Sequence, residues 1–102
     1  MPKLIGIKKF NIAVFISGTG SNLKNLIKHS LRKKSKFKIK LVISNKSKIK
    51  GLEHAKKFKI RRVVVNYKNI SRAEREMLDE LKNSKINLVC LAGFMKILSR
   101  NF

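Results

Sequence analysis

Four runs of β-branched and aromatic residues alternate along the chain with three segments whose apolar positions recur every three or four residues. Asn11 to Ser17 (NIAVFIS) is apolar without interruption through its middle, the pattern of a strand covered on both faces, and it stops at Gly18. From Ser21, the residues Leu23, Leu26, Ile27 and Leu31 fall at helical spacing, with Ser21 or Asn22 expected as N-cap and Arg32, Lys33 and Lys34 at the negative end of the dipole. Phe37 to Ser44 (FKIKLVIS) predicts a second strand, and Gly51 to Phe58 a short helix carrying Leu52 and Ala55. Arg62 to Asn66 (RVVVN) predicts the third strand. Ser71 and Glu74 have the S-x-x-E spacing of a capping box ahead of a helix with Met77, Leu78 and Leu81 on one face, and Ile86 to Ala92 (INLVCLA) predicts the fourth strand.

Strands joined through helices of this length form right-handed βαβ crossovers, because parallel neighbours need a connection of about a dozen residues or more. The expected class is therefore α/β, an open doubly wound parallel sheet. With strand order 3-2-1-4, the loops leaving strands one and four flank a single crevice at the carboxyl ends, where ligands bind in such sheets.

Composition adjusts this picture in three ways. At 102 residues the chain holds one domain, and 43% hydrophobic content argues against disorder. Basic residues number 26 against 5 acids, a formal charge of +21. That charge invites a nucleic-acid reading, but 20 of the 26 are lysine and only 6 arginine, spread almost everywhere, which reads as background composition and not as a specific nucleic-acid interface. All five acids lie after residue 50, so residues 1–50 carry 14 basic groups and no acid, and an anionic ligand is drawn to that half. No apolar run approaches a membrane span of about 18 residues and no secretory signal is present, so a cytoplasmic location without membrane contact is expected. The lone Cys90 has no partner for a disulfide and is expected to be buried.

The loop after strand one, Ser17-Gly18-Thr19-Gly20-Ser21-Asn22-Leu23, resembles a dinucleotide fingerprint only in part. Leu23 stands where the third glycine is needed, and Ile39 to Lys50, around the end of the second strand, contains no acid to hold a ribose. No Gly-Lys-Ser/Thr completes a P-loop. What remains is a glycine turn that brings an anion to the start of a helix, where free N–H groups and the dipole favour negative charge; Gly20, Ser21 and Asn22 are the candidate phosphate ligands. The simpler alternative is an ordinary βα turn capped by Ser21. The loop after strand four, Gly93-Phe94-Met95-Lys96-Ile97-Leu98, is either the start of a buried helix or the apolar wall of a pocket for a flat ligand. Arg72 stands at the start of the third helix. His29 and His54 are assigned to surface or packing roles, and no metal site is expected.

Taken in order, NIAVFISGTGSNL (Asn11 to Leu23), VISNK (Val42 to Lys46), GLEHA (Gly51 to Ala55) and CLAGFMKILS (Cys90 to Ser99) resemble the phosphoribosylglycinamide formyltransferases of purine biosynthesis. The resemblance runs over residues 11–102, leaving 1–10 as an N-terminal extension. It implies a Rossmann-like formyltransferase fold, transfer of a formyl group from 10-formyltetrahydrofolate, and glycinamide ribonucleotide as substrate. Carried over position by position, it implies phosphate binding by Gly20, Ser21 and Asn22. Folate contacts are implied at Arg72, Met95, Lys96, Ile97 and Leu98. Lys96 occupies a position where arginine is common in the family.

The resemblance also marks what this stretch does not contain. The family's catalytic asparagine, histidine of an NIHPS-like segment and later aspartate have no counterpart here, since there is no Asn-x-His and no acid after Glu80. The expectation is an N-terminal half carrying a substrate-binding half-site, truncated after its fourth strand, with negligible turnover alone. An exposed sheet edge would then favour association with a missing C-terminal half or with itself. Formyltetrahydrofolate deformylase and methionyl-tRNA formyltransferase share the fold but lack the GSNL loop. A small basic RNA- or anion-binding module on a βα scaffold is the alternative from another class.

Overall fold

A computed structural model of the chain describes residues 9–100 and 102. The expected extension 1–10 lies almost wholly outside them; its last residue, Phe10, opens the first strand. The order of elements is β1 (Phe10–Ile16), α1 (Ser21–Ser30), β2 (Phe37–Ser44), α2 (Lys50–Lys57), β3 (Arg61–Val64), α3 (Ile70–Asn83) and β4 (Leu88–Leu91). The sheet is parallel throughout, in the order β3-β2-β1-β4. The α/β reading is borne out, and the order is the one that sets the loops after β1 and β4 side by side. The last two strands are shorter than expected, although Val65 N–H still donates to the Ser44 carbonyl (2.8 Å) and Ala92 N–H to that of Phe15 (2.9 Å). Among the described residues no helix is long and apolar enough to cross a membrane.

Strand β1 is central, and its two faces feed separate cores. Ile12, Val14 and Ile16 pack with Leu23 and Ile27 of α1 and Leu52 and Ala55 of α2. Ala13 and Phe15 pack on the opposite face with Val65 and with Ala73 and Met77 of α3. This two-sided burial is why the run lacks polar alternation. Strand β2 reaches both cores by a device its sequence does not announce. Its pairing with β1 slips by one residue, from Ile12 opposite Ile39 to Ala13 opposite Leu41. Because side chains alternate along a strand, skipping Lys40 sends Leu41 and Ile43 to the α3 face while Ile39 and Val42 stay on the α1/α2 face.

Two expectations are corrected by this arrangement. The capping box does not form, because α3 starts earlier than predicted: Asn69 is the N-cap, its side chain accepting from Arg72 N–H at 3.0 Å. Ser71 thus lies within the first turn, and Glu74 turns inward to become buried. Cys90 is only half-buried, because β4 is an edge strand and one of its flanks meets no neighbouring strand among the described residues.

Glycine decides how closely α2 approaches the loop after β1. Gly20 has φ 75°, and a Cβ there would lie 2.5 Å from Gly51 Cα. A Cβ on Gly51 would lie 2.3 Å from Ile16 Cδ1 and 3.1 Å from the Gly18 carbonyl oxygen, which accepts from Gly51 N–H at 3.2 Å. Gly18, by contrast, has open space around it. Gly20→Ala is expected to destabilise the fold by about 2 kcal/mol or more, combining left-handed strain with backbone overlap, whereas Gly18→Ala changes stability by less than about 1 kcal/mol. Denaturant melts of the two variants check the contrast.

Candidate functional site

Because β1 and β4 are adjacent, the loops leaving their carboxyl ends face each other across a cleft of about 340 Å³. Gly18, Thr19, Gly20, Ser21 and Asn22 line one side, and Ala92, Gly93 and Met95 the other. The crevice expected between these two loops is therefore present.

The cap of α1 differs from expectation. Gly20, and neither Ser21 nor Asn22, is the N-cap, and no side chain caps the helix. The left-handed backbone at Gly20 and the approach of Gly51 leave room for no larger residue. The consequence favours ligand binding. The first helical bond is Lys24 N–H to the Gly20 carbonyl (2.8 Å), so the amides of residues 21–23 have no acceptor within the helix. Ser21 and Asn22 are exposed, and no acid occupies the first turn. Free amides, two uncommitted polar side chains and the positive end of the dipole thus meet at the cleft.

Ser17 ties the rim together. It is buried, donates its hydroxyl to Asn45 Oδ1 at 2.5 Å and accepts from Met95 N–H at 2.8 Å. One hydroxyl therefore joins the loops that follow β1, β2 and β4. Neither Ser17 nor Asn45 was singled out from sequence. The available signal was a small polar residue directly after each of two neighbouring apolar strands.

The Gly93–Leu98 segment is not a helix. Its two ends turn inward instead: Phe94 lies edge-on to Phe15 (5.3 Å) and Tyr67 (5.9 Å), and Leu98 packs on the α3-side core. Met95 and Ile97 point outward, 79% and 90% exposed. The far end of the segment is anchored by Glu74, which accepts from Ser99 N–H at 2.6 Å and from the Ser99 hydroxyl. Of the expected folate contacts, Met95 lines the cleft, while Lys96 reaches toward the Tyr67 ring (Nζ 5.8 Å from its centre). Arg72 is not brought into the cleft. It lies in the first turn of α3, pairs with Glu76 at 3.5 Å and lines a separate depression with Asn66, Lys68 and Asn69. His54 packs beside the Gly20 loop, and His29 is exposed. No cluster of three or more potential metal ligands occurs among the described residues.

The family model for Formyl transferase matches residues 10–102, nearly the whole chain. The chain belongs to the formyl transferase family. Among its relatives, this formyl transferase chain is 44% identical over 98 residues to the trifunctional purine biosynthetic protein adenosine-3 of Homo sapiens, a match covering 93% of this chain and 10% of that protein. It is 37% identical over 95 residues to the phosphoribosylglycinamide formyltransferase of Escherichia coli K12, covering 90% of this chain and 45% of that enzyme. The crystal structure of phosphoribosylglycinamide formyltransferase from Anaplasma phagocytophilum superposes with a TM-score of 0.86 at 37% identity, covering 92% of this chain and 44% of that one. The chain spans half or less of the length of each of these relatives.

Two measurements test the geometry of the rim. Ser17→Ala leaves Met95 N–H and Asn45 without their shared partner and is expected to cost about 1–3 kcal/mol. Amide exchange at Met95 should accelerate in this variant, and unchanged protection would count against the tie. Tyr67, the single tyrosine, has a hydroxyl sealed from solvent with no hydrogen-bond partner among the described residues; burial, and secondarily the charge of Glu74, raise its pKa. The folded chain resists an ionisation that the unfolded chain allows at about pH 10, so this contribution to stability is intact below about pH 10 and is lost as pH rises through the folded value. Phenolate absorbance is expected to titrate above the ordinary range when the chain is folded and to return to it in denaturant.

Proposed function

We propose that this chain is the ribonucleotide-binding part of a phosphoribosylglycinamide formyltransferase acting in the cytoplasm in de novo purine biosynthesis. The observation that carries this reading is the free helix start at Gly20–Asn22 facing the Gly93–Met95 rim, within a member of the formyl transferase family. The phosphate of glycinamide ribonucleotide sits at the amides of residues 21–23, assisted by the side chains of Ser21 and Asn22. The glycine at position 20 lets the phosphate approach the backbone closely.

The folate co-substrate, 10-formyltetrahydrofolate, supplies the formyl group that passes to the substrate amine. The residues assigned to it suit a flat, partly apolar ligand with an anionic tail. Met95 and Ile97 offer exposed apolar surface and Leu98 a partly buried backing. Lys96 and Arg72 provide cationic groups on the same side of the sheet, where Glu74 and Ser99 join the first turns of α3 to the loop after β4. With position 96 a lysine, any recognition there is by a point charge or the main chain and not by a planar fork. Binding and orientation are the tasks of these residues. Proton transfer and charge stabilisation at the reacting carbon, typically worth several powers of ten in rate, are assigned to the asparagine, histidine and aspartate that the family resemblance implies outside the matched motifs.

Calorimetric titration with glycinamide ribonucleotide is expected to show binding for which inorganic phosphate competes. Ser21→Asp, which places a negative charge in the first turn, should weaken it about tenfold or more. Absence of binding would overturn the assignment of the loop, and turnover of both substrates at a full-length homologue's rate would overturn the reading of a binding half-site.

A further inference from the structure

The fold sorts the charge of this chain by layer. Helix α3, alone on its face of the sheet, carries Arg72, Arg75 and Lys82 against Glu74, Glu76, Asp79 and Glu80, and is close to neutral. Residues 21–62, which form α1, β2, α2 and the start of β3, carry sixteen basic side chains and one acid, Glu53. A uniform lysine bias would load the exposed face of α3 as well, and it does not.

The basic side chains are also set in concave surface along one edge of the sheet. Three adjoining grooves run from the α2 start, past the β3 edge, to the lower end of β2. Lys48, Lys50, Lys56 and Arg62 line the first, of about 640 Å³. Lys56 and Arg62 continue into the second, and Lys59 and Arg61 link the second to the third. Glu53 faces the first groove, and Glu80 holds Arg61 through contacts of 3.1 and 3.2 Å. The floor is apolar in places, with Leu52 and Val64 in the first groove and Phe58 and Ile60 in the third. This edge lies two strands away from β1 and three from β4, so it is distinct from the cleft between their loops.

We infer that this band binds the phosphodiester backbone of a single-stranded polynucleotide without regard to base sequence. A linear run of cationic grooves with scattered apolar floor suits a flexible polyanion whose bases can rest on nonpolar surface. Lysine, a point charge, suits backbone contact better than base reading. A lipid surface is a poorer fit, since the exposed apolar side chains here, Leu31 and Val64, are single residues set among lysines and arginines and form no amphipathic helix face.

Fluorescence anisotropy of the full chain with two single-stranded 20-nucleotide RNAs of unrelated sequence tests the inference. Both RNAs are expected to bind alike, with affinity falling steeply between about 50 and 200 mM salt. The variant Lys56→Glu/Lys59→Glu/Arg62→Glu is compared with Arg75→Glu/Lys82→Glu/Lys85→Glu, which changes net charge equally on and beside α3. At about 0.7 per phosphate contact on a single strand, the first is expected to lower the salt slope by about 2 and the affinity at least tenfold; the second should change affinity by less than about threefold. If charge reversal prevents folding, as circular dichroism would reveal, the corresponding glutamine variants serve in its place. Equal losses in the two variants, no binding at low salt, or stronger binding to phosphatidylserine vesicles than to RNA would overturn the proposal.

Discussion

Strand β1 has no side that meets water along Ile12–Ile16, and the placement of its neighbours follows from that constraint. Alternate residues of β1 must be covered from opposite directions, so α1 and α2 close one face and α3 the other. Its backbone groups must be paired along both flanks, which seats β2 and β4 beside it. The carboxyl ends of β1 and β4 then lie side by side, and the loops that leave them are brought to one cleft. The candidate site is a by-product of covering the central strand.

Within that frame, small groups set the rim. Contact between Gly20 and Gly51 draws α2 against the loop after β1, and it leaves the helix start uncapped by any side chain. The hydroxyl of Ser17 spans the loops from three strands, and Glu74 holds the far end of the segment after β4 at Ser99. A binding loop gains precision when its neighbours are locked in this way, because less conformational freedom is left to lose on binding. The helix start with exposed Ser21 and Asn22 therefore sits on a locked base, while Met95 and Ile97 remain open to solvent.

Much of this was legible along the chain because the relevant signals are local. A continuous apolar run reports burial on both faces, helical spacing reports an apolar stripe, and the SGTGSN segment reports a turn into a helix start. The failures were places where distant residues compete with local preference. Ser71 and Glu74 have capping-box spacing, yet Asn69 caps α3 and Glu74 is drawn inward to Ser99. Ser21 is a good cap by type, yet Gly20 takes the position because Gly51 excludes any Cβ. Cys90 looks like a core residue, yet it stands on an edge strand. The apolar segment after Gly93 fits a helix start by pattern, yet it forms no helix, because Phe94 packs on Phe15 and Tyr67.

The sequence by itself determined the class, the order of elements and the glycine turn into the first helix, since each depends on periodicity or on residues adjacent in the chain. Only the tertiary structure fixed the strand order on which the shared cleft depends, and decided that Arg72 stands outside that cleft. It also decided the one-residue slip that lets β2 serve both cores, and the role of Ser17 as a tie. The charge shows the same division. Composition fixes its amount, but whether lysines cancel, scatter or align depends on which helix covers which face. The sheet places the near-neutral α3 on one face, while the basic residues lie on the elements from α1 to β3, about half of them around α2 and the β3 edge.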